Sequence, residues 1–173
     1  KSEQEIYSAL GLQYIPPELR EMTGEIDVAL RQAQGKPHGL PKLIELKDIR
    51  GDLQTQTNWT DGKNSILEMA EAAMKVGLEY IVITDHTKKL AMTNGLDERR
   101  IIEQIKEIEQ INAKLKAQNI NFRILSGSEC DILKDGSLDL PDEILEKLDV
   151  VGVSVHSLFN LSREAQTTRI IKA

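Results

Sequence analysis

Cys130 is the one cysteine in 173 residues, so an intramolecular disulfide framework, a Cys-x-x-Cys redox pair and a cysteine-rich zinc cluster are all excluded. Such usage fits a reducing, cytoplasmic setting. Long apolar runs are missing too. None approaches the roughly 18 residues that a membrane-spanning helix requires, and the acidic first five residues lack the basic-then-apolar order of a signal peptide. The expectation is a soluble protein with no membrane partner. Positive charge is in deficit: Lys+Arg number 22 against 28 Asp+Glu, for a formal charge of -6. That is the wrong global sign for a protein held to nucleic acid by charge alone, so a phosphate-bearing partner has to be met locally. No Gly-x-Gly-x-x-Gly follows a strand-like run, and no Gly-x-x-x-x-Gly-Lys-Ser/Thr loop occurs, which removes Rossmann and P-loop nucleotide sites. Ser126-Gly127-Ser128 lacks the flanks of a nucleophile elbow, which removes serine-hydrolase chemistry.

What is present suits one packed core, with 40% hydrophobic and 29% charged residues. The chain opens on Lys rather than Met, and the expectation is a fragment of something longer. Residues 1–15 predict an amphipathic helix turning at Gly11 and broken by Pro16-Pro17, with a second short helix over 17–21 or 25–33. Residues 34–41 carry two glycines and two prolines and read as a linker, in which His38 needs only a solvated role. From residue 43 onward strand and helix alternate. Residues 43–53 read as a strand with an acidic turn. Ser65-Ile66-Leu67-Glu68 is a capping box that starts a helix ending at Gly77. Tyr80-Ile81-Val82-Ile83-Thr84 is a β-branched run typical of a strand covered on both faces.

The longest helix is expected from Asp97 to Gln118, because Ile101, Ile105, Ile108, Ile111 and Leu115 share one face. Residues 123–127 are the third strand, Asp135-Gly136 a tight turn, and residues 150–155 the fourth strand; helices follow Pro141 and start near Ser162. Four strand–helix units predict an α/β fold with helices packed outside a parallel sheet.

In such sheets functional groups gather at the carboxyl ends of the strands. Those ends carry Asp52 to Gly62, then Thr84-Asp85-His86, then Glu129-Cys130-Asp131, then His156-Ser157. A single strand-end histidine is as a rule a hydrogen-bonded structural residue, and loop carboxylates usually face water. Four strand ends with one pattern raise a shared metal or acid/base site to equal standing. Cys130 reads as a small buried side chain rather than a nucleophile, and Trp59 as either a stacking platform or core.

Several of these segments, in this order, resemble one family. Gly51-Asp52-Leu53, Thr60-Asp61-Gly62, Ile83-Thr84-Asp85-His86, Gly127-Ser128-Glu129-Cys130-Asp131 and Val153-Ser154-Val155-His156-Ser157 are similar to the PHP (polymerase and histidinol phosphatase) domain. Asp61-Gly62-Lys63-Asn64-Ser65, Asn94-Gly95-Leu96-Asp97 and Asp135-Gly136-Ser137-Leu138-Asp139 narrow the resemblance to the PHP domain joined to bacterial and archaeal family X DNA polymerases. Tyr14-Ile15-Pro16-Pro17-Glu18-Leu19-Arg20-Glu21 resembles the tail of that polymerase's catalytic region. Residues 1–42 therefore correspond to this tail and a linker, and 43–173 to the N-terminal part of the PHP domain.

The resemblance implies a distorted, TIM-like seven-stranded β/α barrel, of which this chain carries about four strand–helix units. It implies a trinuclear metal site that hydrolyses phosphoesters, with manganese-dependent 3′–5′ exonuclease or DNA end-processing activity in repair. Carried over by position, the metal ligands are Gln54 and Gln56 (at a His-x-His pair of the family), Asp61, His86, Glu129 as a bridge, and His156. His86, Glu129 and His156 carry the catalysis. Mn²⁺ or Zn²⁺ is the implied cofactor, with Mg²⁺ as an alternative, and DNA is the partner through the parent polymerase. Lys88 and Arg163 are phosphate-contact candidates, as are Lys89, Arg99 and Arg100, the last two also reading as a solvated helix face. The family's later ligands fall after Ala173. Two glutamines in place of two imidazoles leave a second reading open, a catalytically degenerate scaffold. A half-barrel with open edges further leads to an expectation of self-association.

Overall fold

The computed structural model describes residues 2–33, 35 and 39–173; His38 and most of the linker reading lie outside the described residues. The chain divides into two compact units, Lys1–Asp48 and Ile49–Ala173. In the first, α1 (Glu3–Ala9) is closed at its start by Ser2 and Glu5 in a capping box. The second helix is α2, Glu25–Ala33, as the second alternative had it, while 17–21 forms only a 3₁₀ turn over Pro17–Leu19. Arg20 organises this unit. Its guanidinium donates twice to the Ile15 carbonyl, pairs with Glu3 at 2.7 Å and lies about 5.5 Å from the centre of the Tyr7 ring, which meets Tyr14 edge-on. The hydrogen bond from Arg20 holds the Glu3 carboxyl below the usual range.

The second unit is a four-stranded, all-parallel sheet in chain order: β1 (Gly51–Thr55), β2 (Tyr80–Ile83), β3 (Arg123–Asp131) and β4 (Val150–Ser154). Between the strands run α3 (Ile66–Lys75), α4 (Glu98–Ala117) and the short α5 (Asp142–Leu145), and α6 (Arg163–Lys172) follows β4. Four parallel strands with helices between them make the pattern of a partial β/α barrel. The core lies between strands and helices: Ile81, Ile83 and Ile124 meet Ile66, Ala70, Ile108, Ile111 and Leu115 from α3 and α4. A second cluster joins Leu96, Ile101, Cys130 and Leu140.

Two expectations need correction. Residues 43–53 do not form one strand. Asp48 accepts from the Glu45 amide at 2.9 Å and closes a 3₁₀ turn, Leu46–Asp48, so pairing with β2 begins only at Gly51. Ile44 and Leu46 stay exposed, since no neighbouring strand reaches them.

The third strand, conversely, does not stop at residue 127. Its first half pairs with β2 through Ser126, and its second half pairs with β4 from Gly127 to Asp131. Gly127 marks the handover. A Cβ there would stand 2.7 Å from Val82 Cγ1 and 2.9 Å from the carbonyls of Ile83 and Val150, so only glycine admits both neighbours. Glu129, Cys130 and Asp131 are therefore strand residues, not loop residues. Alternation turns Cys130 toward the helices and Glu129 and Asp131 to the opposite face.

The capping box at α3 is formed as read: Ser65 Oγ accepts from the Glu68 amide, and Glu68 accepts from the Ser65 amide at 2.7 Å. Ser65→Ala is expected to lower stability by about 1 kcal/mol. Urea unfolding checks this, and an unchanged midpoint would contradict it.

Candidate metal centre

The carboxyl ends of the four strands converge on Glu129. Its Oε1 is 3.1 Å from His156 Nε2, and its Oε2 is 3.5 Å from His86 Nδ1. The two imidazoles meet edge-on with centroids 5.4 Å apart. One ligand atom from each of His86, Glu129 and His156 lies within 4.8 Å of the others, close enough to converge on one cation. None of the three is fully exposed, and the Glu129 side chain is only 13% exposed.

Several observations test whether a divalent ion suits these residues. His86 Nδ1 is buried and has no hydrogen-bond partner; at 3.5 Å the facing carboxylate oxygen satisfies ion-pair distance but not hydrogen-bond geometry. A buried nitrogen left so is costly unless something else occupies its lone pair. Two imidazoles with one carboxylate form a donor set that suits zinc or manganese. The residues therefore fit a divalent cation.

The other predicted ligands are placed less directly. Asp61 Oδ1 is 3.9 Å from His86 Nε2, with its side chain about half exposed. Gln54 and Gln56 share one side of the β1 end, and both turn their amide nitrogens to Glu129 Oε2, at 2.7 and 3.3 Å. As arranged they are donors to the bridging carboxylate; their carbonyl oxygens reach a cation there only after the amides turn over. An open cleft of about 510 Å³ is lined by Gln54, Gln56, Asp61 and His86. A larger hollow of about 910 Å³ lies by the amino ends of β2 and β3, away from this chemistry.

The phosphate candidates separate. Lys88 is paired with Glu98, and Arg99 with Glu103 one helical turn on. Arg100 donates to the carbonyls of Trp59, Asn94 and Gly95 and so holds loops rather than facing solvent. Arg163 opens α6, exposed and with no ion pair among the described residues. The Trp59 indole donates to Glu107 and packs against both core clusters, which favours its core reading over a stacking platform.

Sequence reading missed the groups that hold the site in place. Asp85 is fully buried and accepts from the Thr57 amide and hydroxyl, the Thr60 hydroxyl and Gln104 Nε2, all at 2.5–2.7 Å. It thereby fixes the loop that leads to Asp61, immediately beside His86. Gly62 closes that loop, since a Cβ would fall 2.7 Å from the Gln56 carbonyl. Gln104 carried an unused signal, a polar residue within the apolar stripe of α4. Asp131 is buried behind His156, accepting from Nδ1 at 3.1 Å.

Cys130 is wholly buried, and burial, with the neighbouring Asp139 charge, pushes its thiol from 9.0 up to about 12. The expected outcome is a native chain unreactive to thiol reagents at pH 8 and reactive once denatured. Because the folded value is the higher one, the associated stability is complete below pH 9 and declines as pH rises toward 12. Rapid labelling of the native chain would contradict this.

With this geometry in place, comparison with known proteins gives a consistent picture. The family description "DNA polymerase beta thumb" matches residues 1–21. The chain is 45% identical over 159 residues to the DNA polymerase/3′-5′ exonuclease PolX of Bacillus subtilis (strain 168), covering 92% of this chain and 26% of that protein. It is 34% identical over 100 residues to a probable phosphatase of Thermoanaerobacter sp. (strain X514), covering 55% of this chain and 35% of that protein. A probable phosphatase of Caldanaerobacter subterraneus subsp. tengcongensis is 35% identical over 94 residues, 54% of this chain and 33% of the relative. The chain thus spans about a quarter to a third of the length of these relatives.

Proposed function

We propose that the chain, similar over 92% of its length to PolX of Bacillus subtilis, carries part of a PHP domain and contributes to a metal-dependent phosphodiesterase that trims DNA 3′ ends in repair. The observation that carries this reading is the convergence of His86, Glu129 and His156 at the carboxyl ends of adjacent parallel strands. The similarity of over half of the chain to the two probable phosphatases supports phosphoester hydrolysis as the reaction class.

His86, Glu129 and His156 would hold the ion, Mn²⁺ or Zn²⁺ by donor type, with Asp61, which lies by the other ring nitrogen of His86, as a further candidate ligand. Such an ion, when bound, polarises a phosphoryl oxygen and brings the pKa of a bound water toward neutrality. The protein's own contribution is arrangement. Glu129 offers one oxygen to each histidine, so a single carboxylate sets the separation of the two imidazoles. Asp85 keeps Asp61 and its loop against His86. Lys88 and Arg163 would meet the DNA backbone. Lys88 would exchange Glu98 for phosphate at little cost, because exposed ion pairs contribute only about 0–1 kcal/mol. Positive charge supplied by the cation would offset the acidic balance of the chain where DNA phosphate arrives.

One observation favours the scaffold reading. Gln54 and Gln56 saturate Glu129 Oε2 with hydrogen bonds and so compete with a cation for it. Digestion of 3′-labelled DNA by the full-length parent protein decides between them. The phosphodiesterase reading predicts nuclease activity that depends on Mn²⁺ or Zn²⁺ and is removed by a chelator; polymerase activity with no metal-stimulated digestion would favour the scaffold.

A further inference from the structure

Arg169 lies in α6, yet its side chain is 98% removed from solvent and has no carboxylate partner among the described residues. A buried charge without a counter-ion persists only where its donors are otherwise satisfied. Here the guanidinium donates to backbone carbonyls on two separate segments. Nε and Nη2 go to Leu133 and Ile132, just past the end of β3, and Nη1 goes to Ser157, the residue after His156. These are the two segments between which the Asp131–His156 hydrogen bond runs. Asp131 and Ile132 are consecutive, as are His156 and Ser157, so one planar fork ties down both ends of that bond.

Asp131 itself is 2% exposed, and its amide is held by Asp139 Oδ1 at 3.0 Å. Both ring nitrogens face a carboxylate oxygen at 3.1 Å, Nδ1 toward Asp131 and Nε2 toward Glu129, and a carboxylate only accepts; a cation taken up at Nε2 leaves the ring hydrogen on Nδ1, where Asp131 accepts it. Nε2 is then the nitrogen that the cation shares with Glu129. We infer that Asp131 and Arg169 form one positioning device for His156. Asp131 fixes the ring's tautomer and orientation, and Arg169 locks the two backbone segments at the spacing this bond requires. The inference rests on the reading of His86, Glu129 and His156 as a cation site. It adds two residues that touch neither cation nor substrate and act only through His156.

The test uses the chain labelled with ¹⁵N at its three histidines, with His156 assigned through the His156→Gln variant. Long-range ¹H–¹⁵N spectra report the tautomer, and zinc titration followed by calorimetry reports affinity. With zinc bound, the wild-type chain should show His156 protonated at Nδ1, and zinc should shift Nε2. Asp131→Ala should mix the tautomers and weaken zinc binding by roughly 10–100-fold, the usual effect of losing the partner behind a ligating histidine. Asp131→Asn, which keeps an acceptor oxygen, should restore the tautomer and most of the affinity. Arg169→Lys retains the charge but loses the fork, and should weaken zinc binding less than Asp131→Ala. Its effect should largely vanish when Asp131 is already alanine, because both act through one ring. Additive losses would remove Arg169 from the device. An unchanged tautomer and affinity in Asp131→Ala, with zinc still shifting His156 in the wild-type chain, would overturn the inference alone. No zinc-induced shift of His86 or His156 in the wild-type chain would instead overturn the cation site and the inference with it.

Discussion

Glu129→Ala is expected to weaken divalent-metal binding by more than about 100-fold, beyond the 10–100-fold typical of losing an outer partner. The reason is its position. Glu129 is the one group that faces both imidazoles, one oxygen to each, so its removal leaves two histidines whose ring centres are 5.4 Å apart with no shared anion between them. The same change frees the Gln54 amide, which loses its acceptor at 2.7 Å. The proposed function predicts that a PolX protein carrying this change loses nuclease activity while keeping polymerase activity. Calorimetry with Mn²⁺ or Zn²⁺ on the chain and digestion of labelled DNA by the parent check the two parts. Metal affinity within a few-fold of the wild-type value would exclude Glu129 as a ligand. Glu129→Gln is an instructive companion: it preserves volume but offers a neutral oxygen, and should bind metal poorly for electrostatic reasons alone.

Asp85→Ala is the largest stability effect expected outside the apolar core, a loss of about 3–5 kcal/mol, as for other buried charged networks with one partner removed. Four donors from two stretches of chain, the Thr57–Thr60 loop and α4, end on this carboxylate. The hydroxyl of Thr57 and the amide of Gln104 are themselves buried and would be left without an acceptor. Asp85→Asn keeps the shape but points an amide group at donors, and should recover only part of the loss. Urea unfolding measures the effect; a loss below about 1 kcal/mol would show that the network contributes little. Because Asp85 also holds the loop leading to Asp61, metal affinity should fall in the same variant under conditions where it remains folded.

The elements with strong local signals were legible from the residues. Ser65 and Glu68 cap α3 as their spacing requires, and the isoleucines of α4 bury the face their period defines, with Asp97 accepting from the Arg100 amide at the helix start. The alternation of strand and helix was enough to give a parallel sheet with its chemistry at the carboxyl ends. What failed was the extent of strands. A strand's length is set by its neighbours: β1 is short because nothing pairs before Gly51, and β3 is long because β4 takes over at Gly127. No window of β3 alone reports that exchange.

The site divides in the same way. His86, Glu129 and His156 were visible as polar residues after or within β-branched runs, and the structure brings them together. Gln54 and Gln56 do reach the same carboxylate, but through the nitrogen ends of their amides, an orientation fixed by Glu129 and not by anything in β1. Arg169 had no signal, since a single arginine in a polar helix reads as solvated and its carbonyl partners lie some 12 to 37 residues away. Asp131 had a weak one: two residues from Glu129 on a strand, it shares that residue's face.

The most direct measurement is anomalous diffraction from crystals of the chain grown with Mn²⁺. The expected result is a peak within roughly 2.0–2.6 Å of a ligand atom from each of His86, Glu129 and His156, with the Gln54 and Gln56 amide nitrogens displaced from Glu129 Oε2. A manganese-saturated crystal with no peak between these three side chains, and with both glutamines still bonded to Glu129, would contradict the cation site.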